Sequence, residues 1–193
     1  MARLRREFPG IEIELKVGNR GETITALAEG RLDLAIMGRP PREPAVEAEV
    51  LGPHPHVIVA GPDHPLAAVT RVEPAALWDE TFLSREEGSG TRILMTRFID
   101  RIAEGRIVRT IEMGTNETIK QAVMAGLGIA LISGHTVVEE LRQRRLVALP
   151  IEGLPIVRHW FLIHVAGQPL FPAAAAVSRG IVALEGSFLP ASA

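Results

Sequence analysis

The residues Phe82-Leu83-Ser84-Arg85-Glu86-Glu87-Gly88-Ser89-Gly90-Thr91-Arg92 combine the groups that hold anions. An apolar strand pattern runs into a glycine turn and then into an amphipathic helix pattern. In such a turn the backbone N–H groups of Gly88, Ser89, Gly90 and Thr91 can converge on one point, where the positive end of the helix dipole adds to them. Arg85 and Arg92 bring guanidiniums whose planar fork suits phosphate or carboxylate. The same residues also fit an ordinary strand-to-helix turn with Ser89 as the N-cap. A Walker loop is excluded, because no Gly-Lys-Ser/Thr follows at the required spacing.

Other reactive residue types are less well arranged. Glu86 and Glu87 are adjacent at a helix start, where carboxylates complement the dipole rather than act as an acid/base pair. His54, His56 and His64 offer an H-x-H pair and a third imidazole, but they lie among prolines with no acidic partner spaced to orient them, which argues against a metal site. Ser133-Gly134-His135 places a serine near a histidine without the G-x-S-x-G elbow of a hydrolase. No catalytic residue is assigned, and the chain is expected not to be an enzyme.

The elements that must position these groups follow from periodicity. Ile11, Ile13, Leu15 and Val17 alternate with Glu12, Glu14 and Lys16, which predicts a strand with one wet face. A helix with Ile24, Leu27 and Ala28 on one face follows and stops at Gly30, and Leu32 to Met37 forms a second strand. This β-α-β order predicts that the two strands pair in parallel. Val46 to Leu51 and Val57 to Ala60 read as two strands separated by Gly52-Pro53-His54-Pro55. Beyond Asp63-His64-Pro65-Leu66, a second series runs through a strand at Thr81 to Ser84 and a helix with Leu94, Met95, Phe98, Ile99 and Ile102 on one face. A strand at Ile107 to Met113, a helix at Asn116 to Ala125, a strand at Leu127 to Ile132 and a helix at Thr136 to Arg144 complete it. Leu146 to Leu149, a late strand at Ile156 to His164 and a helix at Ala173 to Leu184 return to the first series. The fold class is therefore α/β with two lobes, each a mixed, mostly parallel sheet flanked by helices. Residues 1–64 and 147–193 form lobe I and residues 65–146 form lobe II. Ligands of such folds sit at the carboxyl ends of the strands, between the lobes.

Composition sets the class of partner. The 193 residues are 47% hydrophobic and 23% charged, with a formal net charge of -2, which does not favour sequence-independent nucleic-acid binding. With no cysteine there is no disulfide, thiol nucleophile or thiolate metal site. The N-terminal Met1 to Phe8 is too polar for a signal peptide, and no apolar run reaches the roughly 20 residues of a membrane helix, so a cytoplasmic protein with no membrane partner is expected. The opening helix fragment, with Leu4 and Phe8 as its apolar pair before Pro9-Gly10, predicts that the chain starts inside a domain.

Phe8-Pro9-Gly10 with Ile11 to Leu15, Gly30-Arg31-Leu32-Asp33-Leu34-Ala35-Ile36 and Asp63-His64-Pro65-Leu66 together resemble the effector-binding domain of LysR-type transcriptional regulators. Val17-Gly18-Asn19-Arg20, Met37-Gly38-Arg39-Pro40-Pro41, Arg85 to Arg92 and Asn116 to Val123 are similar to the branch that regulates Calvin-cycle carbon-fixation operons. The resemblance implies a type 2 periplasmic-binding-protein-like fold that senses a small anionic effector between its lobes and so controls transcription. The effector would be a phosphorylated or carboxylated metabolite or NADPH, with no bound cofactor. It further implies a homodimer through lobe surfaces, a tetramer in the full-length regulator, and operator contact only through an N-terminal winged helix-turn-helix that these residues do not contain. The domain's first strand and the Ser/Thr-bearing loop after it are likewise not matched. Asn19, Arg20 and Arg39 follow strand ends in lobe I and are expected to close on the anion. Arg85, Gly88, Ser89, Gly90, Thr91, Arg92, Asn116 and Thr118 would face it from lobe II, with Asn116 also fit to be an N-cap. The alternative is a solute-binding receptor of a transport system with the same fold.

Overall fold

The computed structural model describes residues 2–191. Along them run α1 (Ala2–Glu7), α2 (Arg20–Ala28), β1 (Ala35–Met37), β2 (Val46–Ala60), β3 (Thr81–Arg85), α3 (Gly90–Ile102), β4 (Arg109–Met113), α4 (Asn116–Met124), β5 (Ala130–Ser133), α5 (Val138–Arg142), β6 (Val147–Ala148), β7 (Ile156–Val165) and α6 (Pro172–Val182), with short 3-10 turns at Pro65–Ala67, Pro74–Leu77 and Gly134–Thr136. Among the described residues no helix is long and apolar enough to cross a membrane. The chain divides into two compact units, one of residues up to Pro53 with His159–Leu189, the other containing His54–Arg158.

In the first unit β1 pairs antiparallel with β7, with Ala35 opposite Ile163 and Met37 opposite Phe161. One apolar cluster joins Leu27 of α2 to Ala35, Met37 and Ile163. Another joins Leu4 of α1 to Leu51, Leu162 and Val177 and Ile181 of α6. Here α6 comes so close to α1 that a Cβ on Gly180 would stand 2.9 Å from the Phe8 ring. The α2 stop is as expected: Gly30 takes φ +67°, the left-handed conformation glycine adopts without strain.

The predicted strand at 11–17 is not formed, and with it goes the predicted β-α-β pairing of that segment with the strand before Met37. Ile11 and Ile13 do pack on the Leu4–Leu162 cluster, but Leu15 is 67% and Val17 92% exposed. Alternation records which side chains can be buried. A strand also needs a neighbouring backbone to complete its ladder, and β1 has taken β7 instead.

A second correction concerns Gly52-Pro53-His54-Pro55, which does not divide two strands. β2 runs unbroken through it. Residues two apart present their N–H groups to the same side, so Pro53 and Pro55 remove donors from one edge only and leave the strand able to continue. The division between the two units falls within this strand, between Pro53 and His54.

The second unit is a mixed sheet with apolar layers on both faces. β3 and β4 pair in parallel from Thr81↔Arg109 to Arg85↔Met113. A parallel bridge at Phe82↔Ile129, with Leu83 N–H donating to Ile129 O and Ile129 N–H to Thr81 O, sets the approach to β5 beside β3. The last part of β2 then pairs antiparallel with β5, His56 opposite Ser133 and Val59 opposite Ala130, and with β6. Successive residues point to opposite faces. Ile58, Phe82 and Leu131 pack with Leu94, Met95 and Phe98 of α3, while Val59, Leu83, Ala130 and Ile132 pack with Ile119, Ala122 and Val123 of α4. Burial on both faces explains the nearly continuous apolar runs. Gly128 is required where the strands meet: with φ +153°, any Cβ would overlap the Thr81 carbonyl oxygen.

Candidate functional site

Because β3, β4 and the start of β5 are parallel, their carboxyl ends share one edge of the second unit. Arg85 ends β3, Thr115 and Asn116 follow β4, and Ser133 ends β5. This is the edge at which open α/β sheets hold ligands.

The turn after β3 brings the predicted anion donors together. Gly88 has φ +85°, and Ser89 is the N-cap of α3, so Gly90, Thr91 and Arg92 make its first turn. Ser89 is 3% exposed, yet its side chain makes no capping hydrogen bond. The first-turn N–H groups are thus left without the side-chain acceptor that most helix starts carry. A cavity of about 260 Å³ opens over this turn, lined by Glu87, Gly88, Ser89 and Arg92 and, one turn on, by Ile93, Thr96 and Arg97.

The two guanidiniums are already engaged. Arg85 donates from Nε and Nη2 to the Glu86 carboxylate at 2.7 and 2.8 Å and from Nη1 to Asn116 Oδ1 at 2.7 Å. Arg92 pairs with Glu112 and donates to the Arg85 carbonyl at 3.3 Å. Glu86, expected to complement the helix dipole, therefore holds Arg85 in place. Arg92, partly exposed beside the open first turn, lines the cavity together with the exposed Arg97 one turn on.

Asn116 does not cap α4, contrary to the sequence reading. Thr115 does, accepting the Thr118 N–H at 3.0 Å, with the two threonine hydroxyls 2.8 Å apart. Asn116 is one residue into the helix, and its amide oxygen is directed at Arg85. Thr118 is occupied by the cap.

Asn19, Arg20 and Arg39 lie in the first unit, and they make a self-contained motif. The Asn19 side chain accepts the Glu22 N–H at 2.9 Å, and Glu22 accepts the Asn19 N–H at 2.9 Å, a complete capping box. Arg20 donates to the Arg39 carbonyl and, at 3.4 Å, to the Pro40 carbonyl. Burial first, and then the charge of Arg39, hold the Arg20 guanidinium below its ordinary value. The Arg39 backbone is fixed by this contact and its side chain is exposed.

Three features were not legible in sequence. Thr115 was hidden by the better-known cap Asn116 next to it, and Glu112 reaches Arg92 from the neighbouring strand. The third is a cluster on the same carboxyl edge: His54 Nε2 shares a 2.9 Å hydrogen bond with Ser133 Oγ, and the His54 ring lies 4.2 Å from His56 and 5.9 Å from His135 between centroids. Burial, with the charges of His56 and His135, lowers His54 to about 3. Burial lowers His56 to about 4, against hydrogen bonds to the His54 and Ile156 backbone that favour its charged form. His64 is elsewhere, capping a 3-10 turn through Leu66 N–H at 3.2 Å and facing Glu80 at 3.2 Å. No group of metal-ligating side chains forms among the described residues.

Comparison with known proteins supplies the wider frame. Residues 1–182 match the model of the LysR substrate binding domain. The chain is 57% identical over 182 residues to the HTH-type transcriptional regulator CbbR of Cereibacter sphaeroides, covering 94% of this chain and 59% of that protein. It is 45% identical over 177 residues to the RuBisCO operon transcriptional regulator of Allochromatium vinosum, covering 91% of this chain and 58% of the other. The chain thus spans under two thirds of the length of these curated relatives. Among solved structures, the regulatory domain of CcmR from Synechocystis PCC6803 in complex with 2-PG aligns with TM-score 0.89 and 34% identity over 97% of this chain and 89% of that one.

Proposed function

Because the chain belongs to the LysR substrate binding domain family, we propose that it is the effector-sensing part of a transcription regulator and takes a small anion at the carboxyl edge of its second unit. The observation that carries the reading is the start of α3, where a buried Ser89 leaves the first turn uncapped beneath a cavity that Arg92 borders. The N–H groups of Gly90, Thr91 and Arg92 and the Arg92 guanidinium are the proposed donors. Arg85 acts behind them, fixed by Glu86 and Asn116. A relative solved with 2-PG supports a phosphorylated or carboxylated metabolite, and NADPH, also an anion, is a further candidate. Binding would act by favouring one conformation over another through differential affinity. Homodimerisation, a cytoplasmic location and operator contact through other segments of a longer regulator belong to the same proposal, and sensing rather than catalysis is its function.

Thermal denaturation of the 193-residue chain with 2-PG, a sugar bisphosphate and NADPH tests it. At least one anion is expected to raise the Tm of the chain, and Arg92→Ala to remove most of that rise. A panel that gives no Arg92-dependent rise rejects the assignment.

A further inference from the structure

We propose that Arg97 is the specificity-determining residue of the cavity over α3, where it takes the second of two anionic groups carried at the ends of a short, uncharged chain. The first group is held at the start of the helix. The inference rests on the effector-sensing reading and adds to it the class of ligand.

The start of the helix is a set of unsatisfied donors. The N–H groups of Gly90, Thr91 and Arg92 find no acceptor among the described residues. Ser89, 3% exposed, lines the cavity, and its hydroxyl bonds to none of the described residues either. A buried hydroxyl without a partner is unfavourable, and an oxyanion that accepts from it and from the N–H groups together removes the penalty.

Arg97 differs from the other guanidiniums at this edge in having nothing to hold. Arg85 is fixed by Glu86 and Asn116, and Arg92 by Glu112 and the Arg85 carbonyl. Arg97 lines the same cavity, is exposed, and makes no ion pair or hydrogen bond with any described residue, Asp100 three residues on included. Ser89, Ile93 and Arg97 are spaced by four and so lie along one face of α3, with Thr96 beside them. From Thr91 to Arg97 the axis rises about 9 Å. Helical side chains lean back towards the N-terminus, which leaves roughly 7–9 Å between the Arg97 guanidinium and an anion seated on the first turn. Exposed Ile93 and Thr96 line the interval and suit an uncharged chain of a few carbons. Glu87, the acid on the lining, disfavours a third negative charge near the turn and accepts from a hydroxyl there.

Three probes separate these contributions. Butane-1,4-diol bisphosphate has two anionic groups on a chain that spans the gap, butyl phosphate has one, and methylenediphosphonate has two on a single carbon. Each is titrated into the 193-residue chain and followed by NMR of backbone amides and arginine Nε–H groups. All three should shift the Gly90–Arg92 amides. The bisphosphate should bind about tenfold more tightly than butyl phosphate and be alone in shifting Arg97 Nε–H. Arg97→Gln is a surface change that leaves the donors of the turn in place. It should bring the bisphosphate to within about threefold of butyl phosphate and leave the other two probes unchanged. Equal affinities for bisphosphate and butyl phosphate in the parent would overturn the role of Arg97 and leave the effector-sensing reading intact. So would a preference that survives in Arg97→Gln, or an equal loss for methylenediphosphonate. No shift of the Gly90–Arg92 amides with any probe would remove the anion turn and the second contact with it.

Discussion

Two helix starts in this molecule draw on similar residues and end differently. At α2 the cap is closed: Asn19 and Glu22 satisfy each other's backbone N–H, and the adjoining Arg20 is committed to the carbonyls of the Arg39–Pro40 turn. At α3 the cap is open: Ser89 is buried without bonding the first turn, and the arginine there borders a cavity. Both look like anion-binding starts in sequence, with a polar cap residue and a nearby guanidinium. What separates them is whether the side chains that could meet a ligand have already been consumed in holding the backbone. By that criterion Asn19 and Arg20 build the first unit, while at α3 the backbone N–H groups of Gly90 to Arg92 are the better placed to recognise something else, the Arg92 guanidinium being held by Glu112 and the Arg85 carbonyl.

The contrast between the units should be largest in acid. Burial holds His54 at about 3 and His56 at about 4 in the second unit, against about 6.5 in an unfolded chain. Below that value the unfolded chain binds more protons. The stability contributed by the neutral rings is therefore complete above pH about 6.5 and is lost progressively as pH falls towards the folded values. Urea midpoints at pH about 7.5 and about 5 should differ by an equivalent of roughly 4 kcal/mol, and amide exchange should accelerate first around β2 and β5. Replacing both histidines with glutamine should flatten the profile. Equal profiles in the variant and the parent would show that the rings are not the source.

Capping supplies the next effects. Asn19→Ala removes half of a closed box and should lower stability by about 1–2 kcal/mol in chemical denaturation. Thr115→Ala breaks the 3.0 Å bond to Thr118 N–H at α4 and should cost about 1 kcal/mol. Ser89→Ala should change stability by less than about 0.5 kcal/mol, since no cap bond is lost. A loss at Ser89 as large as that at Asn19 would erase the distinction between closed and open starts.

Much of this architecture can be read from residue order, and the exceptions share a cause. The α3 stripe of Leu94, Met95 and Phe98, the Gly30 stop and the buried strand at Thr81–Arg85 are local patterns, set by one segment facing one layer. The segment at 11–17 has an equally clear alternation and forms no strand, because pairing depends on a second segment that alternation does not report. The candidate site shows the same division. Residues 85–92 announce a glycine turn before a helix, but the commitment of Arg85 to Asn116 spans 31 residues and that of His54 to Ser133 spans 79. Family resemblance named the domain, and the residues themselves pointed to the turn at 85–92. It gave no sign that Asn19 would be spent on its own helix or that three histidines would gather beside Ser133.

Gly128 sets the terms on which this edge can change. The side chains of Arg85, Ser133 and His135 at the strand ends answer to other side chains, Arg85 to Glu86 and Asn116 and the other two to His54, so a change at one calls for a change in its partner. The point where the approach to β5 is fastened to β3 has no such freedom, because any side chain at 128 would drive into the Thr81 carbonyl and pry apart the two hydrogen bonds at Ile129. A lineage, or a designer, seeking a new specificity can therefore exchange the groups at the rim together with their partners, provided the fastening behind them is left alone.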